Sequence, residues 1–163
     1  MTIYFYKVDR PYGCFSNFSP HSIELEGEFW PTVEHYYQAH KYLGTEDEWL
    51  METIRQAETP EKAAQLGRDR SRRCRGDWDA VKTTVMRKAV RQKFLTHPEI
   101  QQVLLETGDE VLVEDSPVDY FWGCGVDRTG ENHLGKILMS VREELRQLRD
   151  RGELPSVRSK QQR

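Results

Sequence analysis

Cysteine is scarce in this chain of 163 residues. Its three cysteines, Cys14, Cys74 and Cys124, are far apart and include no CxxC pair. An odd number of isolated cysteines supports neither a disulfide framework nor a cysteine-rich zinc site. We therefore expect a protein of the reducing cytoplasm.

Long apolar runs and a strong net charge are also missing. No stretch has the length needed to span a bilayer, and residues 1–5 lack the basic start of a signal peptide. The 24 basic and 27 acidic side chains give a formal net charge of −3. This balance predicts no membrane partner and no general attraction to nucleic acid, so any anion site must be local.

Several motifs of well-known catalytic and cofactor sites are absent. Neither GxxxxGK[ST] nor a GxGxxG following a strand occurs, which excludes the usual phosphate-binding loops. Glu34-His35 does not start an HExxH motif, because position 38 is glutamine. No serine or cysteine nucleophile lies in a recognisable turn, and we predict neither a metal nor a cofactor.

The periodicity predicts one domain over residues 1–152 that is mainly α-helical with a few short β-strands. Short β-branched and aromatic runs predict strands, and capping residues with apolar spacing predict helices. The predicted strands are Ile3–Val8, Ile23–Glu26, Glu28–Trp30 and Val111–Glu114. The predicted helices begin at Pro31-Thr32, Thr45, Thr59-Pro60, Asp77, His97-Pro98 and Asn132. The polar residues 153–163 have almost nothing to bury, which predicts a disordered tail.

The stretch Phe29–Leu43 is the most informative part of the sequence. Pro31 and Thr32 are typical of a helix start, and Glu34, Gln38 and Lys41 then share one helical stripe beside an aromatic face. Glu34 is a candidate catalytic acid. Its alternative role is to complement the positive end of the helix dipole.

A cluster of arginines lies between two glycines, Gly67 and Gly76. Five arginines occupy eight positions from Arg68 to Arg75, directly before a predicted helix start. Such a cluster favours binding of a phosphate or another anion, although it also suits a solvated surface. We predict Arg68 and Arg70 as phosphate ligands, with Lys82 as a further candidate.

Two aromatic loops provide the other candidate residues. Asp119 precedes Tyr120, Phe121 and Trp122, and the adjacent Gly123 leaves room for a flat ligand beside the tryptophan. Asp119 could instead form only an Asx turn. The other loop, Phe15–Phe18, contributes Asn17 as a polar candidate, although aromatic side chains more often belong to the core.

Aromatic planes, arginines and carboxylates together suit the hydrolysis of an N-glycosidic bond. A carboxylate can stabilise an oxocarbenium-like sugar or activate water, while rings hold the departing base. We expect Glu34 and Asp119 to face one pocket, with Glu34 as the general base and Asp119 stabilising charge.

Six motifs, in the same order, resemble the NADAR family, the YbiA-like group of proteins. They are FSNF at Phe15–Phe18, WPTVEHYYQAHK at Trp30–Lys41, GRDR at Gly67–Arg70, the helix with Trp78, Lys82 and Met86, DYFWG at Asp119–Gly123, and NHLG at Asn132–Gly135. The resemblance runs from about Ile3 to Arg149.

This resemblance implies a mainly helical YbiA-like fold and a metal-free N-glycosidase. The implied substrates are phosphoribosylamino-pyrimidines of riboflavin biosynthesis, cleaved to ribose 5-phosphate and free base. The implied site contains Glu34 and Asp119 as acids, with Trp78 and Trp122 as aromatic residues. Two alternatives stay open: removal of ADP-ribose from guanine in nucleic acid, and a nucleotide-binding module without catalysis.

Overall fold

The computed structural model describes residues 1–154, and it confirms the mainly helical fold with a few short strands. The contacts within it divide the chain into two compact units, one of residues 17–93 and the other of residues 1–16 with the chain from 94 onward. The one-domain assignment for 1–152 stays a prediction. Of the predicted disordered tail, residues 155–163 lie outside the described residues.

The unit of residues 17–93 contains a hairpin followed by helices. The antiparallel strands β2 (Ile23–Leu25) and β3 (Glu28–Trp30) pair Ile23 with Trp30, as the alternating pattern predicted. The helices are α1 (Val33–His40), α2 (Leu50–Arg55), α3 (Pro60–Gly67) and α4 (Trp78–Thr96), whose last turn passes the unit boundary. Helix α1 packs against both α2 and α3, and all eight of its residues are buried. It is therefore the central element of this unit.

The starts of α1 and α3 follow from their capping residues. The side chains of Thr32 and Thr59 accept hydrogen bonds from the backbone N–H groups of His35 and Lys62. These bonds satisfy donors that the first helical turn leaves unpaired. The predicted starts are thus confirmed.

The helix expected from Thr45 onward is shorter than predicted. Helix α2 begins only at Leu50, and its N-cap residue, Trp49, makes no side-chain capping bond. The hydroxyl of Thr45 donates to the backbone oxygen of Tyr42 and accepts from Asp47 N–H, so it stabilises a turn. The predicted helix start at Thr45 was therefore wrong, because the hydroxyl of this threonine stabilises a turn that comes before the helix.

The other unit combines a two-stranded sheet with two helices. Strands β1 (Thr2–Phe5) and β4 (Val111–Glu114) are parallel, with Ile3 opposite Leu112. Helix α5 covers Pro98–Glu106, helix α6 covers His133–Asp150, and a 3₁₀ turn covers Gly13–Phe15. Helix α6 packs against β4 and α5. Within the described residues, no helix combines the length and apolar character needed to cross a membrane.

Candidate active site

Glu34 is a buried carboxylate in the first turn of α1. Its backbone N–H donates to the backbone oxygen of Asn17 at 3.2 Å, and the residue is only 5% exposed. The side chain of Asn17 is buried as well, with its amide 3.4 Å from Met86 Sδ. The predicted residues Glu34 and Asn17 are therefore neighbours. The backbone hydrogen bond between them connects the loop around Asn17 to the first turn of α1.

Two groups approach the same oxygen of Glu34. Gln38, one turn later on α1, donates from Nε2 to Glu34 Oε1 at 2.7 Å. Arg68 Nη2 lies 4.0 Å from that oxygen, although the Arg68 side chain is 66% exposed. A hydrogen bond and a positive charge both favour the ionised form of a carboxylic acid. The arrangement suits a carboxylate that accepts a proton or stabilises a cation.

Lys41, the next residue of the Glu34 stripe, supplies a second cation. Its ammonium donates to the backbone oxygen of Gly67 at 3.2 Å and lies 5.6 Å from the centre of the Tyr37 ring. Burial lowers the pKa of Lys41, while the nearby charges of Cys74 and Glu34 oppose the shift. Arg68 and Lys82 lower the pKa further. An ammonium of lowered pKa suits proton transfer, and its neutral amine suits nucleophilic attack.

An aromatic pair lies beside these charges. The rings of Tyr37 and Trp78 are 5.1 Å apart between centroids at an interplanar angle of 50°, and Trp78 is 8% exposed. Lys82, one turn later on α4, pairs with Asp79 at 3.2 Å. Trp78 and Lys82 were both predicted as site residues. Trp78 contacts the Tyr37 ring, which the Lys41 ammonium also approaches. Lys41 in turn interacts electrostatically with both Glu34 and Lys82.

The arginine cluster separates into structural and exposed members. Arg72 pairs with Asp47 at 3.1 Å, and Arg75 pairs with Asp77 at 2.6 Å. Both arginines therefore stabilise the loop that leads into α4. Arg68 and Arg70, the two predicted phosphate ligands, are exposed.

Asp119 belongs to the other unit, in the loop between β4 and α6. One carboxylate oxygen, Oδ1, accepts hydrogen bonds from the backbone N–H groups of Phe121 and Trp122 at 2.9 and 2.7 Å. The Asx turn considered from the sequence is therefore present. Its backbone bonds determine the conformation of the aromatic segment that follows.

Trp122 lies in a small aromatic cluster at the start of α6. Its ring contacts Phe121 edge-on at 4.8 Å, and the imidazole of His133 lies 4.3 Å from Phe121 and 6.4 Å from Trp122. The backbone oxygen of Trp122 accepts from Leu134 N–H at 3.1 Å. Trp122 is half-buried.

Sequence reasoning missed three contributors to the Glu34 environment, namely Gln38, Lys41 and Gly67. The helical stripe of Glu34, Gln38 and Lys41 was visible in the sequence and could have identified two of them. Gly67 gave no such signal, since its role depends on contact with α1. Among the described residues, no group of three or more histidine, cysteine, aspartate or glutamate side chains is arranged to hold a metal ion.

Comparisons with known proteins show the family of this chain. The NADAR domain profile matches residues 4–146. An N-glycosidase of Nostoc punctiforme is 63% identical over 148 residues, which cover 91% of this chain and 95% of that protein. A chloroplastic riboflavin biosynthesis protein of maize is 45% identical over 155 residues, covering 88% of this chain but only 25% of the maize protein.

The N-glycosidase YbiA of Escherichia coli is similar in both sequence and structure. It is 47% identical over 143 residues, covering 88% of each chain. Its NMR structure superposes with a TM-score of 0.83, covering 91% of this chain and 86% of that chain. A similarity of this extent includes both the fold and the segments that carry the candidate site.

Proposed function

The chain belongs to the NADAR family and is an N-glycosidase, and we propose that its substrate is a phosphoribosylamino-pyrimidine of riboflavin biosynthesis. The products are ribose 5-phosphate and the free pyrimidine. The maize relative named for riboflavin biosynthesis supports this substrate class. No cofactor takes part in the proposed reaction, and the cytoplasmic location stays a prediction.

The observation that carries the proposal is the buried carboxylate of Glu34 beside two cations and an aromatic pair. Arg68 and Lys41 lie next to Glu34, and Lys41 adjoins the ring of Tyr37. Cleavage of an N-glycoside develops positive charge on the sugar and negative charge on the departing base. A site with one buried carboxylate and nearby ammonium and guanidinium groups matches both charges.

We assign the proton transfers to Glu34 and Lys41. Water attacks C1′ of the ribose and Glu34 accepts the proton that this water loses. The C1′–N bond breaks, and its electron pair stays on the nitrogen of the pyrimidine. Lys41 donates the proton that neutralises this nitrogen, a role that a lowered pKa favours.

The resemblance to the family suggests roles for Asp119 and the two tryptophans. Asp119 stabilises the cationic sugar, as the second acid of the family pattern. Trp78 and Trp122 hold the flat pyrimidine, because stacking on an aromatic ring is favourable for any planar base. Asn17, next to the backbone of Glu34, is proposed as a polar substrate contact.

The exposed arginines provide the phosphate contacts. Arg68 and Arg70 are exposed, whereas Arg72 and Arg75 are held by aspartates. Arginine binds phosphate through two parallel hydrogen bonds, which suits a terminal 5′-phosphate. Lys82 adds charge on the side of α4.

A single-turnover assay tests the substrate. Purified protein in excess over the phosphoribosylamino-pyrimidine should release ribose 5-phosphate and free base in equal amounts, as measured by mass spectrometry. Glu34→Gln protein, prepared in the same way, controls for contaminating glycosidases. If no ribose 5-phosphate forms, this substrate class is wrong.

Exposed Arg68 and Arg70 also favour a second candidate, an ADP-ribosyl hydrolase acting on modified guanine in nucleic acid. The arginines would then contact a diphosphate or the nucleic-acid backbone. Release of ADP-ribose that falls steeply with salt concentration would support this alternative, because backbone contacts release counterions. Equal activity on the modified mononucleotide would argue against a backbone contact.

A further inference from the structure

Among the described residues, the buried side-chain amide of Gln38 is hydrogen-bonded at one end only. Its amide nitrogen donates to Glu34 Oε1 at 2.7 Å, and the residue is only 1% exposed. Its amide oxygen is buried and accepts no hydrogen bond from residues 1–154. A buried carbonyl oxygen that accepts no hydrogen bond costs folding free energy. The amide must therefore be held in this orientation by something other than its own hydrogen-bonding needs.

The contact with Glu34 explains this orientation. If the amide were rotated by 180°, its oxygen would face the carboxylate oxygen of Glu34 and the hydrogen bond would become a repulsion. The observed orientation keeps the donor on Glu34 and leaves the acceptor unpaired. The position of the carboxylate therefore determines how the glutamine is oriented.

Gly67, at the end of α3, makes this arrangement possible. A Cβ atom on Gly67 would lie 2.1 Å from Gln38 Oε1 and 2.7 Å from Gln38 Cβ, distances that no real side chain tolerates. The backbone oxygen of Gly67 accepts from Lys41 at 3.2 Å and from the hydroxyl of Tyr42 at 3.3 Å. One glycine thus lets α3 approach both Gln38 and Lys41 closely.

We propose that Gln38, supported by Gly67, is a positioning residue that orients Glu34 and keeps its carboxylate ionised. This inference rests on the proposed role of Glu34 as the general base. A hydrogen bond donated to a carboxylate stabilises its charged form, and burial without such a bond favours the protonated acid. Two cations, Arg68 at the end of α3 and Lys41 on α1, also face Glu34 and favour its charged form. The bond from Gln38 adds to their effect, so its loss should raise the pH below which the enzyme loses activity.

The pH dependence of kcat/KM tests this role with two variants. Gln38→Glu is nearly isosteric and replaces the donor by a second carboxylic acid, whereas Gln38→Met removes the donor without adding charge. Because a base must be ionised, loss of the donor moves the acidic limb of the profile to higher pH. We expect an upward shift of about one pH unit or more for Gln38→Glu, and a smaller one for Gln38→Met. KM should change less than kcat.

A matched control comes from an exposed pair with the same spacing. Gln102 on α5 donates to Glu106 Oε1 at 3.1 Å, four residues further along the helix, and both side chains are exposed. Gln102→Glu should leave the pH profile unchanged. Gly67→Ala should move the acidic limb in the same direction as the Gln38 variants, because its methyl group displaces Gln38.

The outcomes separate this inference from the proposed function. If Glu34→Gln abolishes activity while both folded Gln38 variants keep the parental acidic limb, the positioning role is wrong and the proposed function stands. An equal loss of activity at every pH would also overturn the positioning role. It would show that the variants disturb packing without changing the ionisation of Glu34. If Glu34→Gln retains full activity, the proposed role of Glu34 fails first.

Discussion

The guanidinium of Arg68 lies 4.0 Å from Oε1 of Glu34, so an exposed arginine reaches a carboxylate that is almost completely buried. The two residues belong to different helical segments, the end of α3 and the start of α1. A cation at the entrance of a buried acid can attract an anionic substrate and also favour the ionised acid. The pair therefore links the proposed phosphate contact to the proposed base.

Glu34→Gln should lower kcat by about 10²–10⁴ while folding and substrate binding change little, because glutamine preserves size but cannot accept the proton. Steady-state kinetics and binding by calorimetry measure the two effects. Glu61→Gln is the control, since Glu61 is also an acid in the first turn of a helix but is exposed. Normal kcat in Glu34→Gln would remove Glu34 from the mechanism.

Asp119→Asn separates the charge of Asp119 from its structural role. Asparagine keeps the oxygen that accepts from Phe121 and Trp122 N–H, so the loop should be preserved. We expect kcat to fall by about 10²–10³ if the charge stabilises the cationic sugar. Asp127→Asn is a matched control, since Asp127 makes a similar turn with Thr129. Unchanged kcat, with the melting temperature of the parent, would leave Asp119 with a structural role only.

Arg68→Ala and Arg70→Ala should each raise KM for the phosphorylated substrate by about 10-fold, the loss of one charge-assisted hydrogen bond. A dephosphorylated analogue should be affected much less. Arg151→Ala, an exposed arginine at the end of α6, serves as the control. Equal losses on both substrates would indicate that these arginines stabilise the loop instead of binding phosphate.

Trp122→Ala should reduce kcat/KM by about one to two decades, since stacking of a base on a ring contributes about 1–3 kcal/mol. Trp122→Phe should retain much of the activity. Trp49→Ala is the control, because Trp49 is 57% exposed and packs on Arg72. If Trp122→Phe is as inactive as Trp122→Ala while circular dichroism shows an intact fold, stacking is the wrong explanation.

The same pair of variants at Trp78 tests a buried ring, where a loss of stability is also expected.

Lys41 should determine the basic limb of the pH profile. A proton donor must be protonated, so activity falls as the pH rises through its pKa, and burial places that pKa below the ordinary lysine value. Lys41→Met should abolish this limb and lower kcat by about 10²–10⁴. Lys41→Arg should move the limb beyond the measurable range.

Lys136→Met, at an exposed position of α6, is the control for the loss of one positive charge. A basic limb that stays unchanged in both Lys41 variants would show that another group supplies the proton.

The sequence by itself determined the features that depend on neighbouring residues. Thr32 and Thr59 cap the helices that follow them, and Glu34, Gln38 and Lys41 share a stripe because of the helical repeat. The hairpin between Ile23 and Trp30 was readable from strand alternation around Gly27. Each of these interactions spans only a few residues, so local chemistry is enough to predict it.

Only the tertiary structure decided which groups surround Glu34. The bond from Lys41 to Gly67 joins residues 26 positions apart, and the approach of Gly67 to Gln38 requires that α3 pack against α1. The tertiary structure also distinguishes the arginines of the cluster. Arg72 and Arg75 form ion pairs with aspartates, whereas Arg68 and Arg70 are exposed. Such contacts depend on how helices pack after the chain has closed a loop, and the residue pattern within one helix carries no information about them.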